Sequence, residues 1–210
     1  MEKKILKAMY SSIVSKDPIR PIMTGVFFDQ NCCVATDTKM LVVFKHTNPK
    51  FAGKVMSASG EEIPGKFPDY NRVFPAKEKL SKFHPRIDLA QLQKACAWFS
   101  RQPGFTEKDS VVIRGKGLSI KFLSNILSLI ALTPEIKSAE MLQTPEGNAA
   151  VIKSKSFRAL LMPLTVDESK VDAPREEECP VTLTLENLIN MFVFEGWKPK
   201  PQEDPMAWMD

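Results

Sequence analysis

The sequence has little of the side-chain chemistry that most enzymes use. Of its 210 residues only 2 are histidine and 4 are cysteine. Neither His46 nor His84 lies beside an acidic or cysteine cluster, so imidazole bases and metal ligands are scarce. The cysteines form no C-x-x-C pair and are too few and too scattered for a disulfide framework. We therefore expect neither a metal site nor a cofactor.

Motifs for phosphate binding and hydrolysis are also missing. The sequence contains no P-loop, G-x-G-x-x-G, H-E-x-x-H or G-x-S-x-G pattern. Asp37 and Asp69 invite a catalytic interpretation as a carboxylate pair, but their neighbours favour turns, and we predict that both are turn residues. The expected protein is not an enzyme.

Long apolar runs are absent as well. No stretch approaches the roughly 18 apolar residues of a membrane span, and the charged N-terminus is not followed by the apolar segment of a secretory leader. These features predict a cytoplasmic protein. With 43% hydrophobic and 26% charged residues, the chain has an ordinary globular composition, and its length suits one large domain or two small ones.

Charge is distributed unevenly along the chain. Residues 1–166 hold 25 basic and 14 acidic side chains, a net charge of +11, whereas residues 167–210 hold 4 and 11, a net charge of −7. A basic body attracts polyanions, of which nucleic acid is the commonest, although a merely solvated surface explains the charge about as well. The acidic segment either repels DNA from one face or only aids solubility.

Helical periodicity appears twice in the first half of the chain. An apolar stripe predicts a helix over residues 3–14, and a second stripe follows the possible N-cap Asp88. Both stripes leave basic side chains on the opposite side of the helix. The candidate DNA-facing residues are Lys3, Lys4, Lys7, Lys94 and Arg101.

The remaining pattern predicts antiparallel strands. Short β-branched and aromatic runs are separated by polar turns, and residues 46–85 read as a connector rich in Pro, Gly and Lys. A short apolar helix is expected from Asn125 to before Pro134. The expected class is α+β, with repeated helix-plus-antiparallel-sheet units. The predicted strands are 21–29, 32–37, 40–44, 110–114, 118–123, 139–143, 149–153 and 157–164, and residues 182–192 add one more strand or helix.

Three segments resemble the bacterial sliding clamp, the β subunit of the replicative polymerase. Arg20-Pro-Ile-Met-Thr-Gly-Val-Phe-Phe-Asp29 with Val34-Ala-Thr-Asp-Thr-Lys-Met-Leu41 is similar to the strand and A-T-D-G-H-R-L hairpin of the clamp's middle domain. Gly65-Lys-Phe-Pro-Asp-Tyr-Asn-Arg-Val-Phe-Pro75 is similar to the F-P-D-Y-x-R-V-x-P crossing into the last domain. Phe157-Arg-Ala-Leu-Leu-Met-Pro-Leu164 resembles the V-M-P-M ending. The three occur in the family's order.

The resemblance implies a DNA-clamp (processivity-factor) fold with a reduced number of domains. It suggests a shortened middle-type domain at 1–80, a last-type domain at 81–166 and an acidic extension at 167–210. Thr38, Lys39 and Met40 stand where the family has Gly-His-Arg. Because two-domain clamps that trimerise exist, including in phage, a homo-oligomer from a phage or mobile element is expected.

The resemblance also implies a function without a reactive group. Such a clamp encircles double-stranded DNA without reading its sequence, and it recruits a polymerase or other clamp-binding proteins through an apolar peptide cleft. The alternatives are an adaptor or decoy that keeps the cleft without a ring, and a small enzyme of unrelated fold. The residues that match the family's cleft are Met23, Thr36, Leu41, Pro75, Met162, Pro163 and Leu164. Positions in strand cores and in a rigid turn would also explain these residue types.

Overall fold

The computed structural model describes residues 2–46, 48–82, 88–113, 116–144 and 149–164 and the strand at 192–193. Three α-helices lie in these residues: α1 (Glu2–Ser12), α2 (Leu89–Phe99) and α3 (Ile120–Ile130). The strands in the same part of the chain are β1 (Val26–Phe28), β2 (Cys32–Thr36), β3 (Met40–Lys45), β4 (Lys54–Met56), β5 (Glu62–Ile63), β6 (Ser81–Lys82), β7 (Ser110–Ile113), β8 (Lys116–Ser119), β9 (Glu140–Gln143), β10 (Ala150–Lys153), β11 (Phe157–Leu161) and β12 (Phe192–Val193).

Nine of these strands form one antiparallel sheet in the order β5-β4-β1-β2-β3-β11-β10-β9-β6. The pairing of β3 with β11, which places Leu41 opposite Leu160, joins strands from the two halves of the sequence. A second sheet has the order β12-β7-β8. The larger sheet therefore continues across the predicted boundary at residue 80.

The side chains of the large sheet alternate between two apolar faces. On β3, Val42 and Phe44 face the helices, whereas Leu41 and Val43 belong to a separate cluster on the opposite face. We call these the inner face and the outer face of the sheet. Such alternation is the period-2 pattern of a strand that is buried on both sides.

The three helices pack on the inner face. Ile5 and Met9 of α1 are fully buried there with the apolar residues of α2 and α3. The middle helix, α3, contacts both α1 and α2. Asp88 caps α2 as predicted, because its carboxylate accepts hydrogen bonds from Ala90 N at 2.8 Å and Gln91 N at 3.2 Å.

The outer face is covered by the segment that leads from the first half to the second. Phe67 and Tyr70 are buried against outer-face residues of the sheet, and Phe74 and Leu80 pack at the same cluster. The chain then reaches β6, which pairs with β9 near the far edge of the sheet.

Two sequence-based predictions were wrong. The expected strand at 118–123 is short, since β8 ends at Ser119 and α3 begins at Ile120, five residues before the predicted start. An apolar run this short suits a strand or a buried helix equally. Here its second part, from Ile120 onward, forms the first turn of the buried helix α3. The predicted connector also contains three strands: β4 and β5, which carry the β-branched Val55 and Ile63, extend the sheet at one edge, and β6 pairs with β9 at the other edge.

Other predictions hold with small shifts. The first helix covers residues 2–12 rather than 3–14, and the first strand narrows to β1 because Pro21–Met23 forms a 3-10 turn. Of the predicted element at 182–192, only Phe192 lies in the described residues, within β12. None of the described helices is long and apolar enough to cross a membrane.

Candidate functional site

The basic side chains of α1 are all exposed. Lys3, Lys4 and Lys7 lie on the side of α1 opposite its buried residues Ile5 and Met9, as the periodicity predicts. A helix with one apolar stripe buries that stripe and leaves the other side to solvent. The predicted cations are thus available to a ligand on the helix side of the molecule.

The cations of the second helix are exposed in the same way. Lys94 is exposed on α2, and Arg101 is exposed in the turn two residues after α2 ends at Phe99. α3 adds few charges, because its outward stripe consists of Lys121, Asn125 and Ser128. The five predicted cations form no ion pair with another described residue.

The hairpin between β2 and β3 is built by its own side chains. Asp37 Oδ1 accepts hydrogen bonds from Lys39 N at 2.9 Å and Met40 N at 2.8 Å. Thr36 Oγ1 donates to the carbonyl of Met40 at 2.7 Å. Asp37 is therefore the turn residue that the sequence predicts. Thr38 at the tip has φ 78°, a conformation that is uncommon for a β-branched residue.

The end of β11 is held between the two sheets. Met162 N donates to the carbonyl of Lys39 at 3.0 Å, and Leu164 N donates to that of Gly117 at 2.8 Å. Between them Pro163 has no N–H to offer, which suits the end of a strand. Met162 is 46% exposed, so a ligand can reach it.

The predicted cleft residues differ in how accessible they are. Leu41 and Thr36 are buried, whereas Met23, Pro75, Pro163 and Leu164 are half-buried. Leu41 lies beneath the covering segment in the outer cluster. Met23 lies near Thr36, because the carbonyls of both residues accept the same N–H from Ser15, at 2.9 Å and 3.2 Å. The hairpin contacts the end of β11 through the Met162–Lys39 hydrogen bond, and Leu41 is buried rather than open to solvent.

Lys39 joins the hairpin tip to the second half of the chain. Its Nζ lies 3.8 Å from a carboxylate oxygen of Glu107 and 5.1 Å from the centre of the Phe122 ring. Lys121 also binds Glu107, and this hydrogen bond is the main reason that the pKa of Glu107 is lowered. Sequence reasoning noted Lys39 only as a departure from the family pattern.

A polar group on the outer face was also missed. Tyr70 Oη donates to Asp29 Oδ2 at 2.7 Å and lies 3.3 Å from Cys32 Sγ. Burial, together with hydrogen bonding to Cys32 and Asp29, raises the pKa of Tyr70, so the phenol keeps its proton and can donate it to the carboxylate. The signal for this group was Tyr70 itself, inside the second clamp-like segment.

The described residues offer little for catalysis. Burial raises the pKa of Cys32, and it raises that of Cys33 to about 12, so neither thiol is an activated nucleophile. No group of three or more His, Cys, Asp or Glu residues capable of holding a metal occurs in the part of the chain that the structure describes. Asp69 caps a 3-10 turn by accepting from Asn71 N at 3.2 Å.

Comparison with solved structures returns bacterial sliding clamps. The β sliding clamp of Caulobacter crescentus matches with a TM-score of 0.59 and 16% identity, over 78% of this chain and 64% of that chain. The sliding clamp of Bartonella birtlesii bound to griselimycin matches with a TM-score of 0.54 and 14% identity, over 78% and 64%. The β clamp of Helicobacter pylori bound to a DNA ligase peptide gives 0.54 and 13%, over 76% and 62%. No protein-family model and no curated protein sequence matches the chain.

These matches establish the fold. The chain has the α+β fold of the bacterial sliding clamps, as its three motif segments led us to expect. It spans less than two-thirds of the length of the clamps that it matches, with 64% of the Caulobacter subunit covered.

Proposed function

We propose that the protein is a non-enzymatic, sliding-clamp-like processivity factor that encircles duplex DNA. The observation that carries this proposal is the exposure of all five predicted cations, four of them on α1 and α2 and Arg101 just after α2, in a helix layer that lines one face of a sheet with the clamp fold. Side chains of this kind contact phosphates without reading base sequence. Lys3, Lys4, Lys7, Lys94 and Arg101 are the proposed DNA-facing residues.

A ring requires more than one copy of this chain. We propose two clamp-like units, at 1–80 and 81–166, joined by the β3–β11 pairing, with residues 167–210 as an acidic extension. Several copies of the chain would then surround the duplex. The proposed assembly is a homo-oligomer with the helix layer of each copy facing the DNA.

The same protein would recruit its partners on the opposite side of the sheet. The proposed cleft has Leu41 and Thr36 in its floor, with Met23, Pro75, Met162, Pro163 and Leu164 around it. An apolar cleft with few polar groups suits an extended peptide that inserts apolar side chains. The bound peptide in the Helicobacter pylori clamp structure supports this mode for the fold.

Encirclement can be tested by trapping the protein on DNA. The full chain is incubated with linear duplex that has free ends, the ends are then blocked with a bulky protein, and the salt concentration is raised. A ring stays on the blocked duplex and leaves the unblocked one, because threading does not depend on phosphate contacts. Equal release from both duplexes, or a monomer at every concentration by light scattering, would refute the ring.

A second candidate is an adaptor or decoy that binds clamp-binding peptides without a ring. The exposure of Met162 at the proposed cleft favours peptide binding whether or not a ring closes. This reading predicts peptide binding by a protein with no salt-sensitive affinity for duplex DNA. The trapping experiment and a salt titration on the same preparation separate the two candidates.

A further inference from the structure

Residues 67–75 cross the outer face of the sheet, and we call this segment the strap. Its first attachment is on β1, where the rings of Phe67 and Phe27 stack with centres 5.0 Å apart and planes 9° from parallel. Tyr70 makes the second attachment through its 2.7 Å hydrogen bond to Asp29, which directly follows β1. The beginning of the strap is therefore fixed to the first half of the chain.

The end of the strap is attached to a strand from the other half. The guanidinium carbon of Arg158 lies 4.0 Å from the centre of the Phe74 ring, within the range of a cation–π contact. Arg158 Nη2 also donates to Asn71 Oδ1 at 3.1 Å. Arg158 belongs to β11, so one side chain holds two residues of the strap against the second half.

The strand order fixes where the strap leads. β1 and β11 are separated by β2 and β3, and three spacings of about 4.8 Å place them about 14 Å apart. The strap therefore runs across β2 and β3. Side chains of a strand alternate, so Arg158 and Leu160 lie on the outer side of β11, and the same alternation continued past Leu161 would place Met162 on that side. Pro75, the residue after Phe74, is thereby brought to β11, whose last residue Leu161 directly precedes Met162.

We propose that Asp29, Tyr70 and Arg158 are positioning residues that hold the strap across the sheet and fix Pro75 as one wall of the peptide cleft beside Met162. The ligand is an extended peptide with an apolar side chain that enters between this wall and the end of β11. This inference rests on the proposed peptide-binding function. It adds three residues that touch no ligand but keep the cleft preorganised for one.

The chemistry of the attachments explains why these three residues are needed. The strap carries no strand pairing of its own, so side-chain contacts must hold it. A tyrosine bound to a carboxylate and an arginine stacked on a ring are directional contacts, whereas apolar packing alone allows sliding. If they are lost, the strap can still cover the outer face, but Pro75 is no longer fixed.

The test uses the full chain with three variants and a matched control. Tyr70→Phe removes only the hydroxyl group, Arg158→Ala removes the cation, and Asp29→Asn keeps an acceptor for Tyr70. The control is Glu135→Gln, which weakens hydrogen bonds to Ser154 and Ser156 at the β10–β11 turn and leaves the strap untouched. The probes are griselimycin and the DNA ligase peptide of the Helicobacter pylori clamp complex.

Two measurements are made on each variant. Hydrogen exchange should become about tenfold faster in residues 67–75 of Tyr70→Phe and Arg158→Ala, but not in those of the control. Probe affinity, measured by calorimetry, should fall about five- to tenfold in the same two variants. Asp29→Asn should lose less affinity, and the control should bind as the unaltered chain does.

The outcomes separate this inference from the function on which it rests. Binding of neither probe by the unaltered chain refutes peptide binding and the positioning role with it. Unchanged affinity in Tyr70→Phe and Arg158→Ala, with normal binding by the unaltered chain, refutes the positioning role alone. An equal loss of affinity in Glu135→Gln would mean that a general loss of stability weakens binding, and this result would also overturn the inference.

Discussion

Asn125 Nδ2 donates a hydrogen bond of 3.0 Å to the carbonyl oxygen of Ser12, a residue 113 positions earlier in the chain. Ser12 is the last residue of α1, so this bond satisfies a carbonyl that has no partner within the helix. One turn further along α3, Ser128 accepts a hydrogen bond from Gln93 of α2 at 3.2 Å. The central helix thus sets the placement of the two helices that carry the cations.

Replacing Asn125 with Ala should lower the free energy of unfolding by about 1 kcal/mol, because a half-buried hydrogen bond is lost. Urea denaturation measures the change. Ser128→Ala is the matched control on the same stripe of α3, and it should leave the α1 carbonyl bonded. Faster hydrogen exchange at the end of α1 in the control as well as in Asn125→Ala would contradict this account.

Thr38→Gly should stabilise the protein by about 0.5–1 kcal/mol. Thr38 has φ 78°, where a β-branched residue is strained and glycine is not, and the relief exceeds the added entropy of the unfolded chain. Thermal unfolding checks the prediction. Thr38→Ala keeps a Cβ at the same backbone angle, so a similar gain in that variant would argue against backbone strain as the cause.

Gly25→Ala should destabilise the protein by about 1–3 kcal/mol. A Cβ at this position would lie 2.7 Å from both the Met56 carbonyl oxygen and Val55 Cγ1, so β4 must move away from β1. Gly60→Ala is the comparison, since its Cβ would meet nothing within 4 Å and only its φ of 89° opposes the change. Hydrogen exchange should show the loss at β4 in the first variant alone. Equal exchange at β4 in both would rule out the steric cause.

Glu135 should make the stability depend on pH in the acidic range. Partial burial raises the pKa of its carboxyl, but hydrogen bonds from Ser154 and Ser156 outweigh this, and the pKa lies below its ordinary value of 4.5. A lowered pKa in the folded state stabilises the protein above the ordinary value, and this contribution is lost as the pH falls through the folded-state pKa. The difference in stability between the unaltered chain and Glu135→Gln should be full near neutral pH and shrink below about 4.5. A pH-independent difference would contradict the prediction.

The salt dependence of DNA binding should depend on the basic residues of α1. Each of Lys3, Lys4 and Lys7 that contacts a phosphate contributes about 0.9 to the slope of log affinity against log salt. The triple alanine variant should therefore have a shallower slope on duplex DNA, measured by fluorescence anisotropy. Lys66→Ala, an exposed cation beside the strap on the opposite side of the sheet, is the control. An equal change in the control would indicate diffuse attraction rather than a DNA-facing helix layer.

Local patterns in the sequence determined much of the secondary structure. The stripe that buries Ile5 and Met9 also exposes Lys3, Lys4 and Lys7, because a helix repeats every 3.6 residues. The cap at Asp88 and the turn at Asp37 were predicted correctly, since both depend on hydrogen bonds within a few residues. The three motif segments were enough to indicate the clamp fold.

Contacts between distant residues were decided by the tertiary structure. The pairing of Leu41 with Leu160, and the reach of Arg158 to Phe74, depend on which apolar surfaces bury one another, and no local periodicity encodes that choice. The start of α3 at Ile120 followed for the same reason, because an apolar run of that length suits a strand or a helix until its neighbours are placed. The sequence determined which residues are apolar, basic or turn-forming, and packing between the two halves determined which of them meet.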